Sequence, residues 1–213
     1  FADELGRLEA GDGGRAVPAG AIVCAGSSSM RLWHPMLARD LAPLTVIPRG
    51  FGGSTMNDAL HYLDRLVLRY RPRAVLLYEG DNDIAQGIAP ERVADGFRAL
   101  AGRVHASLPE ARVYYLSIKP SIARWNLWPR MQEANRLIAK QCAADRRLTY
   151  IDVATVLPGP DGRPRKELLE GDGLHLNRAG YAAWREVVRP VLLAGERAFE
   201  PAAEEPAAEE PAA

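Results

Sequence analysis

Four short stretches of the chain hold residue types suited to acyl transfer. The first is Gly26-Ser27-Ser28-Ser29, which follows the apolar run AIVCA. A serine hydroxyl attacks a carbonyl only when a neighbouring base takes its proton. Taken alone, the three serines also suit the start of a helix, where a serine side chain caps free backbone N–H groups. Of the four histidines, His34, His61 and His105 fall within predicted helices or at their starts, whereas His175 sits in a loop beyond a strand. Asp172 lies three residues before His175, in a glycine-containing turn. At that spacing a carboxylate can accept the Nδ1 proton and leave Nε2 free as a base. Acyl transfer also needs hydrogen-bond donors for the developing oxyanion. Gly52 and Gly53 in GFGGST permit backbone geometry that exposes an N–H. Asn82 in EGDNDI follows a glycine at a strand end, where its amide can point into a cleft.

Groups so far apart in the chain need a scaffold that gathers them. Five strand-length apolar segments recur at 21–25, 44–48, 74–79, 112–118 and 148–153. Several are nearly continuous apolar runs, the pattern of strands buried on both faces. Helical spacing fills the gaps: 30–41, 56–70, 90–108, 131–144 and 177–199. Pro90 stands in a first-turn position and Asn177 at an N-cap, while Pro190 predicts a kink or break in the last helix. Such alternation implies an α/β fold, a parallel sheet with helices on both faces. Ligands bind such sheets at the carboxyl ends of the strands. Each candidate group lies in a segment following a strand.

In order, the four blocks resemble those of the SGNH hydrolases, also called the GDSL esterase/lipase family. Gly26-Ser27-Ser28 matches the first block, with Ser27 in place of the family's usual aspartate. Gly53 matches the second, Gly80, Asn82 and Asp83 the third, and Asp172 with His175 the last. The likeness spans nearly the whole ordered chain. It implies a three-layer α/β/α, flavodoxin-like fold around a five-stranded parallel sheet, and a serine hydrolase without a required cofactor. It also implies Ser28 as nucleophile in a triad with Asp172 and His175, and an oxyanion hole from the Ser28 and Gly53 N–H groups and the Asn82 amide. GSSSMRLW with RGFGGST is most similar to a bacterial subgroup described as lysophospholipase-like or acetylhydrolase-like. In this reading Ser29 is the helix cap and Asp83 a structural residue holding its loop. The expected substrate is a small-molecule ester with a short acyl or acetyl group. A lysophospholipid or an acyl thioester is the alternative.

Other features bound the reading. Acidic and basic residues balance at 27 each, so no net field draws nucleic acid. No apolar run reaches the length of a membrane span. Cys24 and Cys142 read as buried hydrophobes rather than a disulfide framework. The GDND stretch lacks the ligand spacing and terminal glutamate of a calcium loop, so no metal site is expected. A non-catalytic module holding a phosphate on its first loop is disfavoured, because that loop lacks the lysine or repeated glycines of phosphate fingerprints. Lys119, Trp125 and Trp128 follow the fourth strand at the correct edge and are candidates for a substrate pocket wall, while Trp33 and His34 lie one turn beyond Ser28. Residues 1–18 read as a short helix and linker, 19–199 as the hydrolase domain, and 200–213, EPAAEEPAAEEPAA, as a disordered tail. The chain begins at Phe1, as after removal of a leader for export to a bacterial periplasm or after trimming; oligomeric state is left open.

Overall fold

The strands β1 (Ile22–Gly26), β2 (Val46–Gly50), β3 (Ala74–Tyr78), β4 (Arg112–Leu116) and β5 (Leu148–Ile151) form one sheet in the order β2-β1-β3-β4-β5. All pairings are parallel. This computed structural model describes residues 1–11 and 20–200; residues 201–213 of the expected tail and most of the expected linker lie outside them. Every residue of β1 and β3 is buried. Alternate side chains enter two separate cores. Val23, Ala25, Val75 and Leu77 pack on one face, and Ile22, Cys24, Leu76 and Tyr78 on the other. Each buried aliphatic side chain contributes about 1.5–3 kcal/mol relative to exposure. Two covered faces explain why the strands read as continuous apolar runs.

The first face is covered by α1 (Ala2–Gly11), α3 (Met56–His61), α4 (Leu63–Leu66), α6 (Pro90–Ser107) and α7 (Trp128–Ala143). The second is covered by α2 (Ser28–Leu41) and α8 (Arg178–Glu196). The result is the expected three-layer α/β/α flavodoxin-like fold. A further short helix, α5 (Asp81–Ala85), follows β3.

Several boundaries differ from expectation. The segment 56–70 is not one helix: it breaks at Tyr62 (φ −93°, ψ 13°) between α3 and α4, then tightens into a 3₁₀ turn over Leu68–Tyr70. β2 starts later than expected and runs past Pro48, which an edge strand tolerates because one side of its ladder is unpaired. α8 continues through Pro190 to Glu196. Glu200, assigned to the tail, is ordered: its carboxylate accepts from the Thr45 N–H at 2.6 Å and from Arg73 at 2.5 Å.

Aromatic packing fixes the two helices that matter most for the site. Trp33 of α2 stacks on Tyr181 of α8 at 5.7 Å and meets Trp184 edge-on at 5.9 Å. The Tyr181 hydroxyl donates to the Ser29 carbonyl at 2.7 Å. These contacts draw the loop preceding α8 toward the start of α2. Trp33 is thus a core residue: it is fully buried and its indole N–H donates to Asp40 at 2.9 Å.

Candidate active site

Gly26 delivers the serines. Its φ is +142°, and a Cβ there would stand 2.2 Å from the Tyr78 carbonyl oxygen, so only glycine lets β1 run this close to β3 at its end. The chain then turns directly into α2. Ser27, not Ser29, is the N-cap residue, and its side chain makes no capping bond. Ser27 is held by its backbone, donating to Tyr78 O at 3.0 Å and accepting from Met30 and Arg31. Ser29, expected as the cap, lies inside the first turn and is buried. Ser28 is the first helical residue, where a backbone N–H has no partner within the helix.

The Ser28 Oγ lies 2.9 Å from His175 Nε2, and His175 Nδ1 lies 2.5 Å from Asp172 Oδ2. The other carboxylate oxygen of Asp172 accepts from the Leu174 and His175 N–H groups at 2.9 and 3.0 Å. The His175 hydrogen bond, then those two backbone N–H groups, hold the Asp172 carboxyl far below the usual carboxylate range. Asp172 is therefore an acceptor, which makes Nδ1 the donor and leaves the Nε2 lone pair facing the serine hydroxyl. Gly173, with φ +64°, closes the turn, and Asn177 caps α8 by accepting from Ala179 and Gly180 at 2.9 and 3.1 Å.

Three adjacent strand ends supply donors. Gly53 has φ +76° and open space where a side chain would stand. The Gly52 N–H is occupied by the Glu4 carboxylate of α1 at 3.2 Å. The N–H groups of Gly53 and Ser28 make no hydrogen bond among the described residues. Asn82 sits in the first turn of α5. Its Oδ1 accepts from Arg124 at 3.0 Å and its Nδ2 donates to Ser54 O at 2.9 Å, which fixes the amide and leaves one N–H uncommitted. Asp83 is structural as expected, though it holds another loop: both its oxygens accept from the Met56 N–H, at 3.1 and 3.0 Å, at the start of α3. Burial outweighs that bond and pushes the Asp83 carboxyl up to about 6.

The expected pocket residues divide. Lys119 does not line a pocket. It is fully buried, and its ammonium donates to Leu174 O at 2.7 Å and lies 3.6 Å from Asp81. Burial lowers its pKa. Asp81 also pairs with Arg124 at 2.5 Å. Trp125 lines a cavity of about 580 Å³ with Ile122, Pro160, Arg163 and Arg165. Ile122 packs against Gly173, so this cavity borders the His175 loop. Trp128 stacks on Trp125 at 6.5 Å and lines a second cavity of about 460 Å³. His34 accepts from the Gly50 N–H at 2.8 Å and stays neutral, its pKa lowered to about 4 by burial. Among the described residues no cluster suits a metal ion and no helix is long and apolar enough to cross a membrane.

Sequence reasoning missed Glu4, Arg124 and Glu79, whose buried carboxyl lies 2.6 Å from Ser54 Oγ beside Gly53. Glu79 alone left a signal, as an acidic residue ending an apolar strand.

The fold is shared with solved structures. A protein from Streptococcus pneumonia described as a candidate platelet activating factor has a TM-score of 0.77 at 22% identity, over 89% of this chain and 92% of its own. A GDSL-like lipase from Bacteroides thetaiotaomicron has a TM-score of 0.75 at 17% identity, over 90% and 98%. A mutant acetyl-xylooligosaccharide esterase from Geobacillus Stearmophilus has a TM-score of 0.62 at 13% identity, over 84% and 95%. No curated protein matches. The family model for GDSL-like lipases and acylhydrolases matches residues 14–183. The chain belongs to the GDSL-like lipase/acylhydrolase family of hydrolases.

Proposed function

We propose that the protein is a serine esterase hydrolysing short-acyl or acetyl esters, with Ser28 as nucleophile, His175 as general base and acid, and Asp172 orienting the imidazole. The observation that carries this reading is the continuous line from Ser28 Oγ to His175 Nε2 and from Nδ1 to Asp172. Ser28 Oγ attacks the ester carbonyl carbon as its proton passes to Nε2. The Ser28 and Gly53 N–H groups and the free Asn82 N–H bind the oxyanion of the tetrahedral intermediate. The intermediate collapses, its ester C–O bond breaks, and Nε2 returns the proton to the leaving alcohol. Water then attacks the acyl-enzyme, giving a proton to Nε2. Collapse of the second intermediate releases the acid and restores the Ser28 hydroxyl.

The preference for a small substrate rests on the surface around the site. Among the described residues the exposed large apolar side chains are few and come from separate elements: Phe1 before α1, Leu32 on α2, Ile122 after β4 and Phe199 after α8. Trp125 and Ile122 give the neighbouring cavity an aromatic and aliphatic wall for one arm of such an ester.

A fluorophosphonate probe should label the native protein at Ser28, and Ser28→Ala should be neither labelled nor active. Full activity of that variant would sink the assignment and turn attention to Ser27. A panel of 4-nitrophenyl esters of increasing acyl length should show the highest kcat/KM for acetate or propionate.

A further inference from the structure

Glu79 follows β3 directly and has no exposed surface. No arginine, lysine or histidine pairs with it among the described residues. The carboxylates of Asp83 and Asp81 on α5 and of Asp58 on α3 oppose its ionisation. From β4, the Tyr115 hydroxyl donates to its backbone carbonyl at 2.7 Å and gives nothing to its side chain. Its Oε2 has no hydrogen-bond partner. Its Oε1 lies 2.6 Å from Ser54 Oγ, and that same Oγ lies 3.1 Å from the Phe51 carbonyl oxygen.

A serine hydroxyl carries a single proton. Were Glu79 ionised, Ser54 would have two acceptors and one hydrogen, and a buried negative charge would keep one oxygen bare. Such a charge in a low-dielectric interior is costly, and the group takes up a proton instead. With Glu79 protonated, each hydrogen has a place. Glu79 Oε1–H donates to Ser54 Oγ, Ser54 donates to Phe51 O, and Oε2 is a carbonyl oxygen, which is cheaper to leave unpaired. Burial, the first cause, raises the Glu79 pKa well above the usual range, in the same direction.

Ser54 is where this matters. It follows Gly53 in the chain, and its carbonyl holds the Asn82 amide at 2.9 Å. We propose that Glu79 is a neutral carboxylic acid beneath the oxyanion hole and a positioning residue that, through Ser54, keeps the Gly53 N–H and the Asn82 amide in register. The catalytic part of this inference rests on the esterase reading above; the protonation state does not.

The test compares Glu79→Gln and Glu79→Ala with the native protein. Glutamine keeps a donor to Ser54 and cannot ionise. Glu79→Gln should hold kcat within about threefold, and Glu79→Ala should lower kcat by about 10–100-fold with KM little changed, the range of a partly lost oxyanion donor. A folded-state pKa raised above the unfolded value gives stability that is full below the unfolded pKa and is lost as pH rises toward the folded one. The Tm of Glu79→Gln should therefore gain on native protein between about pH 5 and about pH 8. Asp83 titrates in both proteins, so the difference between them reads the Glu79 titration together with its coupling to Asp83. Infrared difference spectra should show a protonated-acid carbonyl band in native protein that Glu79→Gln lacks.

Absence of that band, or a Tm gap that does not change with pH, overturns the neutral acid. Loss of activity in Glu79→Gln as deep as in Glu79→Ala overturns the positioning role. The infrared and melting measurements need no substrate, so they stand whether or not Ser28 labels with the fluorophosphonate. They also need only the isosteric glutamine, should the alanine variant not fold.

Discussion

The two halves of the site are built by opposite means. Asp172 and His175 share one turn, and the Asp172 side chain is 48% exposed. Its geometry comes from the turn itself: two N–H groups of residues 174 and 175 hold one carboxylate oxygen and the imidazole holds the other. The proposed oxyanion half has no such local device. Gly53 and Asn82 come from the ends of different strands, and buried or half-buried bonds through Ser54, Glu79, Arg124 and Asp83 set them against each other. A local turn keeps its shape when one member is changed. A network spread across three strand ends does not, because each member satisfies a buried group elsewhere.

Substitutions should separate the halves by their effect on folding as much as on rate. Ser28→Ala, which removes the proposed nucleophile, should lower kcat by about 10⁴-fold or more. The side chain lost is one hydroxyl at a helix start, so the melting temperature should hold. Asp172→Asn should cost about 10³–10⁴-fold in kcat, because an amide that donates to Nδ1 imposes the wrong imidazole tautomer. An exposed position in a self-contained turn implies a Tm close to that of the native protein, and a large Tm loss would mean the turn is not self-contained.

Asn82→Ala should cost less in rate, about 10²–10³-fold in kcat, the usual effect of removing one oxyanion donor. In stability it should cost more than Asp172→Asn, since Ser54 O loses its donor and Arg124 loses an acceptor. Urea melts of both variants measure this. The comparison fails if Asn82→Ala is as stable as native protein while Asp172→Asn is not.

The difference between the halves also decided what the sequence could tell. Residues that act through short spacing were readable: Asp172 three before His175, and Gly80 two before Asn82. The layer order was readable because burial on both faces leaves continuous apolar runs in β1 and β3. Residues that act across the fold were not. Arg124 and Glu4 look like ordinary surface charges until the loop after β4 and α1 are laid against Asn82 and Gly52. Lys119 looked like a pocket cation because it follows a strand at the functional edge. Only its partners, Asp81 and the Leu174 carbonyl, show why a lysine is kept inside. The break at Tyr62 left no trace in a segment whose apolar spacing runs on through it.

Lys119 gives the smallest and most informative test, because it touches both halves. Its ammonium donates to the carbonyl one residue before His175 and faces the Asp81 carboxylate beside Asn82. Lys119→Met keeps the bulk and removes the charge. Asp81 retains Arg124, so no bare carboxylate results; the Leu174 carbonyl loses its donor. A lost buried hydrogen bond implies a destabilisation of about 1–3 kcal/mol. Because the His175 turn and the Asn82 amide keep their own bonds, kcat should fall by less than about tenfold. Burial lowers the lysine pKa in the folded state, so the unfolded chain binds more protons and native stability rises with pH up to the unfolded value. Methionine has no such dependence, so the stability gap should widen as pH rises toward about 10, the unfolded lysine value. A loss of activity as deep as in Asn82→Ala would mean that the two halves are one mechanical unit, joined through this lysine.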